Sequence, residues 1–88
     1  MVVTFDNQCK LEDGMIKFRA YGDRWIVWCV VTMDSIRDCF ELKGSETEVV
    51  LTFAETRSRF QKLAKSIIED GDYENGVVLI GKSQLTRL

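Results

Sequence analysis

Three cysteines, a run of carboxylates and a Gly-Lys-Ser triplet are the residues of this 88-residue chain with the types to do chemistry. Each has to meet the spacing its chemistry requires. The chain has no histidine, so there is no Ser–His or Cys–His nucleophile pair and no imidazole ligand. A zinc site needs four nitrogen or sulfur ligands at short spacing, and Cys9, Cys29 and Cys39 supply three, widely separated. An odd count without C-x-x-C spacing also argues against a disulfide framework. Cys29 falls mid-strand on a core-facing position, where burial raises a thiol pKa. Cys39 is the more exposed, but Asp38 and Glu41 disfavour its thiolate. All three read as small, reduced, apolar side chains.

The acidic run Glu69-Asp70-Gly71-Asp72-Tyr73-Glu74 invites a calcium reading. A loop opened at Asp70 would need glycine at its sixth position and glutamate at its twelfth, and the chain has Asn75 and Gly81 there. Gly81-Lys82-Ser83 ends like a phosphate loop but lacks the preceding glycine, and no helical pattern comes after it. The expectation is a chain with no catalytic residues, no metal and no cofactor, and not an enzyme. A net charge of −2 is close to balanced and argues against a general phosphate binder. No apolar run approaches the ~18 residues of a membrane span, and Met1 to Asp6 lack a basic segment followed by an apolar one. A cytoplasmic location is expected.

The element that organises the chain runs from Ser45 to Asp70. Val49, Val50, Phe53, Phe60, Leu63, Ala64, Ile67 and Ile68 recur at steps of three and four, which predicts one long amphipathic helix. Ser45 and Glu48 fit a capping box at its start, and Gly71 suits a left-handed close at its end. Before it come three strand-like stretches: Val2–Phe5, then Met15–Tyr21 after an irregular polar loop, then Trp25–Val31. Asp13-Gly14 is a turn signal, and Gly22-Asp23 suits a type II′ hairpin loop. Thr32 can cap a short helix from Met33 to Phe40. Asn75-Gly76 turns into a last strand, Val77–Ile80, whose uninterrupted apolar character suggests pairing inside the sheet. The predicted fold is α+β in the order β-β-β-α-α-β, a small and mostly antiparallel sheet with one short and one long helix on one face. Residues 1–80 form a single domain and residues 81–88 a polar, frayed tail.

Two surfaces stand out. In Trp25–Val31 both alternating sets are apolar: Trp25, Val27, Cys29 and Val31 on one side, Ile26, Trp28 and Val30 on the other. Such a strand is usually covered on both faces, yet a single helical layer covers one. Either the C-terminal part folds over Ile26, Trp28 and Val30, or they form an apolar contact surface for a protein partner or a second copy. Arg57, between Phe53 and Phe60, lies near the apolar stripe; its stem can line the core rim while its head reaches a carboxylate or strand-end carbonyl, or anchors a partner. Arg59, Lys62 and Lys65 make a basic row on the outer helix face, with Glu55 four residues before Arg59. That row is a solvated surface or, as an alternative, a weak nucleic-acid or anionic-ligand site.

Four stretches resemble a family of short bacterial proteins catalogued as domain of unknown function fourteen eighty-eight. They are Phe18-x-Ala20; Cys29 followed by Val31, Ser35 and Phe40; Phe53-x-x-x-Arg57 followed by Ala64 and Ile68; and Gly76-Val77. The resemblance covers roughly Val2 to Ile80. It implies a small antiparallel sheet with helices and supplies no activity and no catalytic residue. The expected function is a non-catalytic interaction or regulatory module; the alternatives are the anion binder and a small enzyme.

Overall fold

A computed structural model describes residues 2–88. Its elements run β1 (Thr4–Glu12), β2 (Met15–Tyr21), β3 (Ile26–Thr32), α1 (Met33–Phe40), α2 (Glu46–Glu55), α3 (Arg57–Glu69), β4 (Val77–Ile80) and α4 (Lys82–Leu85). The fold is α+β. The four strands form one sheet in the order β1-β2-β3-β4, antiparallel except for the parallel β3–β4 pair. The last strand, expected inside the sheet, instead lies at its edge, paired only on β3 and reached by the crossover through α1, α2 and α3; it is apolar because its inner residues join the core, not because it has a strand on either side.

Alternation places Ile16, Phe18 and Ala20 of β2, Val27, Cys29 and Val31 of β3, and Val78 and Ile80 of β4 on one face. All are buried. They meet Met33 and Ile36 of α1, Val49 and Phe53 of α2, and Phe60, Leu63, Ala64, Ile67 and Ile68 of α3 in a single core. A chain of tilted rings runs through it: Phe5–Phe18 at 6.1 Å between centroids, Phe18–Phe53 at 5.6 Å, Phe53–Phe60 at 5.0 Å and Phe60–Phe40 at 6.4 Å. These tilted geometries are the ones that aromatic quadrupoles favour. Burial pushes the Cys29 thiol up to about 12, which fits its reading as a packed apolar residue.

The local signals that hold are the ones with a specific backbone demand. Thr32 caps α1, its Oγ1 accepting from the Ser35 amide at 3.1 Å. Asp13 and Gly14 both have positive φ, 52° and 74°, and join β1 to β2 in a two-residue loop whose right-handed twist matches the strands. Gly71, at φ 70°, ends α3: its amide donates to the Ile68 carbonyl and the Asp72 amide to the Ile67 carbonyl, the paired bonds of a Schellman motif.

Five further expectations are corrected. The predicted single helix is broken at Thr56, whose φ of −109° and ψ of 16° leave the helical region. The Thr56 hydroxyl donates to the Thr52 carbonyl at 2.7 Å and the Thr52 hydroxyl to the Glu48 carbonyl at 2.9 Å, so two side chains compete for ladder acceptors and bend the helix. Ser45 occupies the N-cap of α2 without a side-chain bond there; Glu48 folds back against Gly44 instead, where a Cβ would collide with its carboxylate. The loop read at Asp6–Asp13 belongs to β1. Its polar residues are tolerated because this is an edge strand, and a register shift between Phe5 and Cys9 breaks the alternation. The β2–β3 turn is not type II′: Gly22 is not among the positive-φ residues, and its amide donates to the Trp25 carbonyl at 3.0 Å. Glycine is needed there because the Trp25 indole lies where a Cβ would be. Residues 81–88, finally, are not a frayed tail. They contain α4, with Leu85 buried and Leu88 packed against the core.

Candidate functional site

With all the helices contributing to one core on the inner face, no layer among the described residues lies over the opposite face of the sheet. The register defines what lies there. At one level Arg19 of β2 pairs with Trp28 of β3, and Trp28 with Val77 of β4; at the next, Lys10 pairs with Lys17, Lys17 with Val30, and Val30 with Leu79. The face is thus apolar across β3 and β4 and charged across β1 and β2. Ile26 is 56% exposed, Trp28 38% and Leu79 70%. Val30, expected in the exposed set, is buried: it forms the floor of a groove of about 380 Å³ walled by Lys17, Trp28 and Leu79. The C-terminal part does not fold over this face.

Trp28 is held by its neighbours. The Arg19 guanidinium carbon sits 5.6 Å from the Trp28 ring centre and 5.5 Å from that of Tyr21. Asp6 fixes both from β1, accepting from Arg19 Nη2 at 2.8 Å and from the Tyr21 hydroxyl at 2.5 Å. The Tyr21 hydrogen bond, joined by the Gln8 amide and Arg19, holds the Asp6 carboxyl below its ordinary range, against the opposing effect of burial. The same bond to Asp6 pushes the Tyr21 phenol up. The signs set two pH edges. The depressed carboxyl stabilises the fold above its unfolded pKa and loses that contribution as pH falls through its folded value. The raised phenol stabilises the fold below its unfolded pKa and loses that as pH rises through its folded value. In an Asp6→Asn variant the Tyr21 phenol should titrate at lower pH. Absorbance of the phenolate in a Tyr73→Phe background reads this directly, and an unchanged titration would mean that the pair does not form in solution.

The other charges of the face are largely matched among themselves. Lys10 lies 2.8 Å and Lys17 3.1 Å from opposite oxygens of Glu12. The Lys10 side chain nonetheless remains largely exposed. The far flank, beyond β4, is acidic. Asn75 and Gly76, at φ 55° and 71°, turn the chain so that Glu74 bridges to Val77. Residues opposite each other in such a pair share a face, which places Glu74 beside the outer face at the level of Trp28. Asp72 and Tyr73 line the same side next to Val77 and Leu79.

The basic row has other engagements. Arg59 donates to the Leu88 carbonyl at 2.9 Å and lies over the Phe40 ring, while Arg87 donates to Ser66 Oγ at 2.8 Å. Together they tie α4 and the residues after it to α3. The break at Thr56 separates Glu55 from Arg59, and that expected pair is not among the ion pairs of the described residues. Lys62 and Lys65 are exposed on α3. Arg57 begins α3, half-buried, and has no ion-pair partner among the described residues. The structure therefore brings Ile26, Trp28 and Val30 together on the sheet and leaves Arg57 and the basic row on the opposite side of the molecule's core.

The family model described as "Protein of unknown function (DUF1488)" matches residues 3–80. The chain belongs to the DUF1488 family. The match spans all four strands, so the bare sheet face lies within the DUF1488 region; α4 lies beyond it. No curated protein and no solved structure matches the chain. Among the described residues no cluster of acidic or sulfur side chains has the geometry to hold a metal, and no helix is long and apolar enough to cross a membrane.

Sequence reasoning found Trp28 but missed Val77, Leu79 and Glu74 as its neighbours. The signal was present. An apolar strand at an edge must show alternate residues outward, and an Asn-Gly turn pairs the residues flanking it.

Proposed function

We propose that this DUF1488 chain is a non-catalytic protein-interaction module that works through the outer face of its sheet. One observation carries the reading: β3 is apolar on both faces, and only one of them is covered by the chain's own helices. Leaving Ile26, Trp28, Val77 and Leu79 contiguous in water costs free energy, and apolar patches of this kind on soluble proteins are contact surfaces. Trp28 has the attributes of a binding anchor: a large ring with the Arg19 guanidinium over it, and that guanidinium is itself held by Asp6, so that less side-chain entropy is lost when a partner packs on it.

Hydroxyl-radical footprinting tests this. Trp28 and Leu79 should be oxidised several-fold less in extract of the cells that make the protein than in purified protein at high dilution, while Leu51, exposed on α2, should be oxidised equally in both. Equal oxidation of Trp28 and Leu79 in both preparations would remove the reading.

A further inference from the structure

We infer that the partner on this face is a second copy of the same chain, packed sheet to sheet about a two-fold axis that runs along β3. The inference rests on the interaction reading above and adds the occupant and its orientation.

The charge layout points to it. A two-fold axis lying in the interface along β3 maps each point on one side of β3 onto the opposite side in the second copy. The β1–β2 flank of one copy then faces the β4 flank of the other, twice, as a two-fold contact requires. Those flanks differ in sign. On the β1–β2 side Lys10, Lys17 and Arg19 stand against Asp6 and Glu12, leaving one positive charge in excess, with Lys10 the most exposed cationic side chain of the three. On the β4 side Asp72 and Glu74 are exposed and have no cation among their ion-pair partners in the described residues. The apolar centre then lies on itself: residues of β3 meet their own copies across the axis, Trp28 against Trp28 and Val30 against Val30, while Leu79 of each copy lies over the Lys17 stem that walls the groove in the other. An axis running across the strands would set basic flank on basic flank and acidic on acidic, and like charges opposed in this way are costly.

The dimensions also fit. The sheet, about seven residues long over β2 and β3 and four over β4, at ~3.3 Å per residue and ~4.8 Å per strand, presents roughly 20 Å by 20 Å at its widest. Two such faces, with their side-chain relief, bury on the order of 1,000 Å² together, the lower bound for a specific interface and the size of a weak, concentration-dependent dimer. Sheets packed in this manner stay within about 30° of alignment, with the side chains of the two facing surfaces interdigitating.

Light scattering and sedimentation of the purified full chain over a concentration series supply the test. The expected result is a mass twice the 10.1 kDa of the chain. Trp28→Ser should weaken association at least tenfold while the far-ultraviolet dichroism and melting of the diluted protein stay intact. Lys10→Glu and Glu74→Lys should each weaken it about three- to tenfold. Mixing the two variants one to one should restore much of the loss, because in the mixed pair both flanks attract, one in the native order and one reversed. A monomer at every concentration, with Trp28 still protected in extract, would sink the second copy and leave the interaction reading standing. A dimer indifferent to Trp28→Ser would place the contact elsewhere. A dimer broken by Trp28→Ser in which the charge reversals have no effect, or are not rescued by mixing, would overturn the orientation.

Discussion

Phe60→Ala should lower the stability of this protein by about 3–5 kcal/mol, enough to leave a substantial unfolded fraction at ordinary growth temperatures. The residue is fully buried and is the ring through which both helical segments and the short helix meet: Phe53 lies on one side at 5.0 Å and Phe40 on the other at 6.4 Å. Removing it deletes two aromatic contacts and leaves a cavity that neither α1 nor α2 can close without moving its own backbone. For a domain of this size the loss corresponds to a fall in Tm on the order of 20 °C. Urea titration followed by dichroism measures it, with Leu51→Ala as the comparison. Leu51 is 56% exposed on α2, and its truncation should change stability by no more than about 0.5 kcal/mol. Similar losses for the two variants would mean that the ring chain is not the centre of the core.

The second large effect lies in the last turn of the chain. Leu85→Ala should cost about 2–3 kcal/mol, near the lower end for a buried leucine because the helix carrying it is one turn long and can partly collapse into the cavity. Leu85 is 3% exposed, and α4 packs on both α1 and β4. The Gly81 amide donates to Gln84 Oε1 at 3.0 Å, which starts the turn, and Arg59 and Arg87 hold the last residues of the chain against α3. In the variant, amides of α4 should exchange hydrogen much faster while those of β2 keep protection scaled only by the global loss. If the urea midpoint does not move, the segment is not docked in solution.

That segment also marks where the sequence stops being informative. Strand β2 and helix α1 are legible because each carries an unbroken period and a capping or turn residue at its boundary, Ile16, Phe18 and Ala20 on one side of β2 and Thr32 before α1, and β3 because it is a short continuous apolar run bounded by turn signals. β1 was only partly legible. It is an edge strand, so Asn7, Gln8 and Lys10 meet no burial requirement, and the irregularity between Phe5 and Cys9 shifts the period midway. The break at Thr56 leaves no trace in hydrophobic pattern, since Phe53 and Phe60 fall on the core face whether or not the ladder bends between them. It arises from hydroxyl-to-carbonyl bonds that depend on rotamer choice. Leu85 and Leu88 sit in a polar stretch too short for any period to be read, and their burial depends on α1 and α3, far away in sequence. For the candidate site, the double apolar character of Trp25–Val31 announced the bare face, but its width came from β4, whose edge position is a product of chain topology.

That topology has a consequence for how the molecule assembles. The first three strands are joined by tight turns and can associate by local search, while the fourth cannot add to β3 until residues 33–76 have folded back over the sheet. Closing so long a segment carries an entropic penalty that grows with the logarithm of its length, and the reward arrives only when the helices have already packed. Until then the nascent three-stranded meander shows water a raw hydrogen-bonding border along β3, next to its tryptophan. The interval before β4 docks is therefore when the chain is most open to mispairing with its neighbours.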